Sequence, residues 1–179
     1  MSENNTRKQG GSETSAARED LGPFCIGLGM DIGFGGDAIV PTALTMDMIQ
    51  PYCPALSGDP QIIRGDCRNL SFLCDGVLDY IYSSHLLEDF SYGELVPLIA
   101  EWRRVLKPGG KLVANCPDQQ RFLSYIAKNN QGNNLAHKEQ DFSLETFKDR
   151  VLSQTGPWEH IYEMPDDGRY SWYLVMAKA

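Results

Sequence analysis

Residues 31–37 read Asp31-Ile32-Gly33-Phe34-Gly35-Gly36-Asp37 and follow directly on the apolar run that begins at Cys25. A strand that feeds a glycine-rich turn is a common entry to a nucleotide-binding α/β domain, because glycine lets the backbone turn sharply and lets a ligand approach without a Cβ in the way. Outward from this turn, short apolar runs ending in Gly, Asp, Ser or Pro predict strands at Cys25 to Asp31, Ala43 to Asp47, Gln61 to Gly65, Val77 to Ser83 and Lys111 to Cys116. Most are continuously apolar rather than alternating, which suits a sheet covered on both faces.

The clearest helix runs from Ser91 to Leu106. Ser91 and Glu94 make a capping box, and Leu95, Leu98, Ile99, Trp102, Val105 and Leu106 share one face; Pro97 is its flaw, and Lys107-Pro108-Gly109-Gly110 stops it and turns the chain into the next strand. A second helix is predicted after Asp118 and a third over Ser143 to Ser153. Trp158 to Met164 and Tyr170 to Met176 read as strands joined by Pro165-Asp166-Asp167-Gly168, an antiparallel hairpin. The fold class is therefore α/β: a doubly wound, Rossmann-like, mostly parallel sheet with a C-terminal antiparallel hairpin and shortened first helices.

A chain of 179 residues supports one domain with a real core. Residues 1–20 contain no apolar run and read as a flexible tail, leaving 21–179 as the domain. Neither a secretory leader nor a run of roughly twenty apolar residues is visible, so a soluble, cytoplasmic protein with no membrane partner is expected. The five cysteines are scattered and form no Cys-x-x-Cys pair, which argues against a disulfide framework or a zinc knuckle. A net charge of −8, nearly all of it beyond the tail, argues against nucleic acid as the main ligand.

Gly33-x-Gly35-x-x-Ala38 also fits the loose dinucleotide fingerprint, which relies on a helix that starts at once and receives the pyrophosphate at its N-terminus. Pro41 and the short interval to Asp47 leave little room for that helix. S-adenosylmethionine carries no phosphate; it needs close backbone approach, a carboxylate for its ribose and a partner for its amino-acid part. In open α/β sheets ligands bind beyond the carboxyl ends of the strands, and four predicted strands end in polar residues: Asp31, Asp47, Asp66 and Ser83. Asp47 is assigned to the ribose hydroxyls, Asp66 to the adenine amino group and Ser83 to the sulfonium end. The donor site is completed by Gly33, Phe34, Gly35, Met48, Cys67 and Ser84.

DIGFGGD, TMDM, the GDC segment, LDYIYSSHLLEDF and EWRRVLKPGGKLV, in that order, resemble a class I S-adenosylmethionine-dependent methyltransferase of the broad type 11 small-molecule group. The resemblance implies a seven-stranded sheet, S-adenosylmethionine as cofactor and a small-molecule acceptor. The chain departs from the family at Asp37, where glycine is usual, and at Asp89, where histidine is frequent. An N-terminal helix over the donor is hard to find, and the second helix looks reduced to a loop carrying Pro51, Pro54 and Pro60.

His85, just past a strand end, is the leading candidate for a base or substrate contact, with a structural role at a helix start as the alternative. His137 lies between helices, where acceptor contacts often fall in the family. Glu88 and Asp89 read as helix-start acids, and His160 as structural. Cys67, Cys74 and His85 match no familiar metal spacing, so no metal is predicted. A nicotinamide-dependent oxidoreductase and a catalytically silent, methyltransferase-like binding subunit are the alternatives; the residues leave homodimer or partner-subunit assembly open.

Overall fold

The computed structural model describes residues 12–48 and 62–179. Seven strands form one sheet in the order β3-β2-β1-β4-β5-β7-β6. They are β1 Gly29–Ile32, β2 Leu44–Asp47, β3 Ile62–Arg64, β4 Leu78–Ser84, β5 Leu106–Pro117, β6 Trp158–Met164 and β7 Ser171–Lys178. β1 to β5 run parallel to one another, and β7 pairs antiparallel with both β5 and β6. The expected mostly parallel sheet closed by a hairpin is present.

Helix α1 spans Glu13–Leu21, α2 Tyr92–Val105, α3 Gln119–Lys128 and α4 Leu144–Arg150. Alternation along β1 decides what each face of the sheet holds. Met30 and Ile32 enter the larger core with Leu95, Ile99 and Trp102 of α2 and Phe147 of α4. The opposite face holds a smaller cluster in which Tyr80, Tyr82 and Tyr173 pack beneath Ala17 and Leu21 of α1 and Ile39.

Three expectations need correction. Residues 13–20 are not tail: Ser12 caps α1 through Ser15 N–H, and Thr14, Ala17 and Leu21 are buried. The helix was missed because its inward side chains are mostly small or polar. Residues 1–11 of the expected tail and the loop with Pro51, Pro54 and Pro60 lie outside the described residues. β1 starts at Gly29, not Cys25, because Gly22–Phe24 form a 3₁₀ turn and Gly27 takes φ +97°. Lys107 to Gly110 belong to β5, whose pairing with β4 shifts register between Leu78 and Tyr80; Gly109, at φ +75°, takes up the irregularity. Pro97 does not break α2.

Asp31 lies on the tyrosine face, opposite Tyr82 in register, and is 1% exposed. Its Oδ2 accepts the N–H of Ile39 at 2.8 Å, fixing the chain that crosses above β1. Burial pushes this carboxyl up to about 7, opposed by the Ile39 N–H and reinforced by Asp37 and Asp47. A carboxyl that titrates higher folded than unfolded contributes stability below about pH 4, and that contribution is lost as pH rises through 7. Asp31→Asn keeps the acceptor and removes the titration. In urea unfolding, its stability relative to the wild type is expected to rise by about 2–4 kcal/mol between pH 4.5 and pH 8. Parallel pH profiles for the two proteins would contradict this.

Candidate functional site

A cavity of about 470 Å³ opens at the carboxyl ends of β1 to β4, large enough for a cofactor-sized ligand. β1 delivers Gly33 and Gly35, β2 Asp47 and Met48, the turn after β3 Asp66, Cys67 and Arg68, and β4 Ser84 and His85. Leu86, Asp89 and Phe90, with Glu94 of α2, complete the wall.

The glycine loop is laid across the end of β2. Gly33 and Phe34 donate to the Met46 carbonyl at 3.0 and 3.3 Å, and Gly35 N–H donates to Asp47 Oδ2 at 2.8 Å. Gly33 and Gly35 adopt φ +76° and +60°, and a Cβ on Gly33 would lie 3.0 Å from Leu86. No helix follows: between β1 and β2 the chain makes only turns and bends. Its far side is held by α1. Arg18 donates to the Asp37 carboxylate and to the carbonyls of Ala38 and Ile39, at 2.9 and 3.2 Å, and Ser12 also bonds Asp37. The departure at Asp37 is therefore the residue that ties the loop to the N-terminal helix.

Of the residues assigned to the donor site, Gly33, Gly35, Asp47, Met48, Asp66, Cys67 and Ser84 line the cavity, and Asp31, Phe34 and Ser83 do not. Asp31 faces the opposite side of the sheet, and Ser83 is buried within β4 with its Oγ unpartnered. Asp66 is engaged by Arg68, whose Nη2 lies at 2.6 Å, and this guanidinium holds the carboxyl below its usual range. Burial raises the Cys67 thiol to about 12, so it stays protonated.

His85 lines the cavity with a left-handed backbone, φ +50°, uncommon for a side chain of its size. Its Nε2 lies 3.1 Å from Ser171 Oγ and 3.8 Å from Glu13 of α1. Burial lowers its pKa to about 4, leaving a neutral ring at pH 7. His137 does not reach the cavity; it is buried behind it, with Nδ1 2.7 Å from Gln119 Oε1. Glu88 stands between the two rings, Oε1 being 3.7 Å from His85 Nδ1 and 3.9 Å from His137 Nε2. It is 2% exposed, and burial pushes its carboxyl well above the ordinary range.

Sequence reading missed Arg68 and took Glu88 and Asp89 for helix-start acids. Asp89 lines the cavity with a buried Oδ1 that has no hydrogen-bond partner. The i,i+3 spacing of His85 and Glu88 was the available signal. His160 is an exposed side chain of β6 beside Glu163. Among the described residues, no three His, Cys, Asp or Glu side chains are grouped to hold a metal ion, and no helix is long and apolar enough to cross a membrane.

The loop geometry sets an order of sensitivity. Gly35→Ala is expected to cost about 1–2 kcal/mol of left-handed strain, and Gly33→Ala more, because its methyl group also meets Leu86. Urea denaturation ranks the two variants; an equal or reversed order would contradict the geometry.

Residues 30–114 match the type 11 family described as a methyltransferase domain. No curated protein matches the sequence. Solved structures match throughout: a SAM-dependent methyltransferase from Archaeoglobus fulgidus is 16% identical with a TM-score of 0.69 over 94% of this chain and 95% of that one. An S-adenosylmethionine-dependent methyltransferase from Mesorhizobium loti is 15% identical with a TM-score of 0.62, covering 93% and 98%. The Haloferax volcanii methyltransferase solved in complex with the Trm112 methyltransferase activator is 12% identical with a TM-score of 0.62, covering 93% and 88%. Residues 30–114 thus match a methyltransferase domain, and the seven-stranded sheet that carries them is the fold shared with these solved structures.

Proposed function

We propose that the protein transfers the methyl group of S-adenosylmethionine to a small-molecule acceptor at the cavity above β1 to β4. The observation that carries this reading is the Asp47 carboxylate at the end of β2, set against the backbone of a glycine loop that leads into no helix. A pyrophosphate would lack the helix N-terminus that normally receives it. A ribose diol would find a carboxylate acceptor. This favours the methyl donor over a nicotinamide dinucleotide.

In this assignment Asp47 accepts from the ribose hydroxyls, Gly33 and Gly35 give the backbone approach, and Asp66 with the Cys67 segment meets the adenine edge. Ser84 and His85 stand toward the reacting methyl group. S-adenosylmethionine supplies an activated methyl group on a sulfonium; the chain's part is to align it with the acceptor and exclude water, where much of the rate of an in-line displacement arises. His85, neutral at pH 7, is the base in reach of the cavity. His137 does not line the cavity, and no part in the reaction is assigned to it.

Titration calorimetry with S-adenosylmethionine tests the reading. Saturable binding is expected, with Asp47→Ala weakening it about 10- to 100-fold through loss of a charged acceptor. Melting temperature is expected to rise with S-adenosylmethionine and not with a nicotinamide dinucleotide. No binding at millimolar donor, or binding indifferent to Asp47→Ala, would overturn the assignment. Tight donor binding without turnover on any acceptor would favour a silent binding subunit instead.

A further inference from the structure

One carboxylate of the cavity is already saturated by a neighbour two residues along the chain. Asp66 Oδ1 accepts the backbone N–H of Arg68 at 2.9 Å and its Nε–H at 3.0 Å; Oδ2 accepts the same Nε–H at 3.0 Å and Nη2 at 2.6 Å. An ionised carboxylate offers about four lone-pair directions, so these four contacts leave none for a ligand. Three of them come from the Arg68 side chain. Asp66 nevertheless lines the cavity, and an adenine amino group set against it needs an acceptor.

The guanidinium has a second place within reach. Its Nη1 lies 3.9 Å from Glu94 Oε1 in the first turn of α2, and its central carbon 5.9 Å from the middle of the Phe90 ring. Glu94 Oε2 accepts the N–H and the hydroxyl of Ser91, at 2.9 and 2.8 Å, in the capping box, which leaves Oε1 to receive a cation. The Arg68 side chain is half exposed, and an exposed ion pair is held weakly enough for a ligand to displace it. The bond from the Arg68 backbone N–H belongs to the turn and stays when the side chain leaves.

We infer that Arg68 competes with the adenine amino group for Asp66, and that donor binding moves its guanidinium to Glu94 and Phe90. This rests on the methyl-transfer reading above, in which Asp66 meets the adenine edge. Affinity for the donor is then set by an exchange of hydrogen bonds on Asp66 and not by a gain of them. The exchange also touches base preference. A 6-oxo purine carries an acceptor where adenine carries its amino group; it meets the guanidinium's remaining N–H donors and requires no exchange. Arg68 therefore narrows the margin by which the site prefers adenine.

Calorimetric titration with S-adenosylhomocysteine and S-inosylhomocysteine tests this, because the two carry the same charge and differ only at the purine edge. Arg68→Met is expected to bind the adenosyl ligand about two- to fivefold tighter than the wild type, the range of an exposed ion pair, and the inosyl ligand no tighter. Glu94→Gln is expected to weaken adenosyl binding when Arg68 is present and to have no effect beside Arg68→Met. Cooperative melting curves check that each variant is folded, and Arg68→Lys, which keeps the charge and loses the two-pronged contact, is expected to fall between wild type and Arg68→Met. Equal or weaker adenosyl binding by Arg68→Met overturns the inference. An equal gain for both ligands does so too, since the amino group would then play no part, and so does a Glu94→Gln loss that persists without Arg68. Each of these results in a protein that binds S-adenosylhomocysteine sinks the role of Arg68 alone. A wild type that binds neither ligand at millimolar concentration sinks the methyl-transfer reading instead.

Discussion

The loop after β1 is held by hydrogen bonds to β2 rather than by a helix of its own, and most of the architecture follows from that. Three consecutive N–H groups, of Gly33, Phe34 and Gly35, are taken up by the Met46 carbonyl and the Asp47 carboxylate. The same contacts place Asp47 against the glycine backbone, which is what a diol-bearing donor needs. With no helix between β1 and β2, the sheet face above them is filled by the rings of Tyr80, Tyr82 and Tyr173 and roofed by α1. Arg18 and Asp37 join that roof to the loop. Helix α1 therefore contributes both to the fold and to the edge of the site.

Two buried carboxyls mark where the chain gives up stability. Asp31 anchors the crossing chain through Ile39 and is pushed to about 7 by its burial. Glu88 has neither oxygen within hydrogen-bonding distance of a side-chain partner and sits between two histidines. Proteins retain such groups where they fix geometry or carry chemistry. Asp31 belongs to the first kind.

Much of this was legible in the sequence. Continuous apolar runs located all five parallel strands, and the Ser91–Glu94 capping box located the start of α2, because both signals are local and strong. The Asp47 and Gly35 placement followed from strand ends. Helix α1 was not legible: its inward residues, Thr14, Ala17 and Leu21, make a weak stripe that gains meaning only against the tyrosines of distant strands. Asp31 was assigned to the donor site because its position in the motif is clear, while the face it occupies depends on where β1 begins. Glu88 escaped for a similar reason. An acid three residues after His85 reads as a helix start, and its link to His137 spans a separation that no local pattern reveals.

We propose that the glycine loop, Asp47 and the turn after β3 form one donor site. Backbone amide shifts recorded while S-adenosylmethionine is added test it most directly. Saturable changes are expected, largest at Gly33, Gly35, Met48 and Cys67, with the β6–β7 hairpin strands little affected. Changes centred away from these strand ends, or none at millimolar donor, would contradict it.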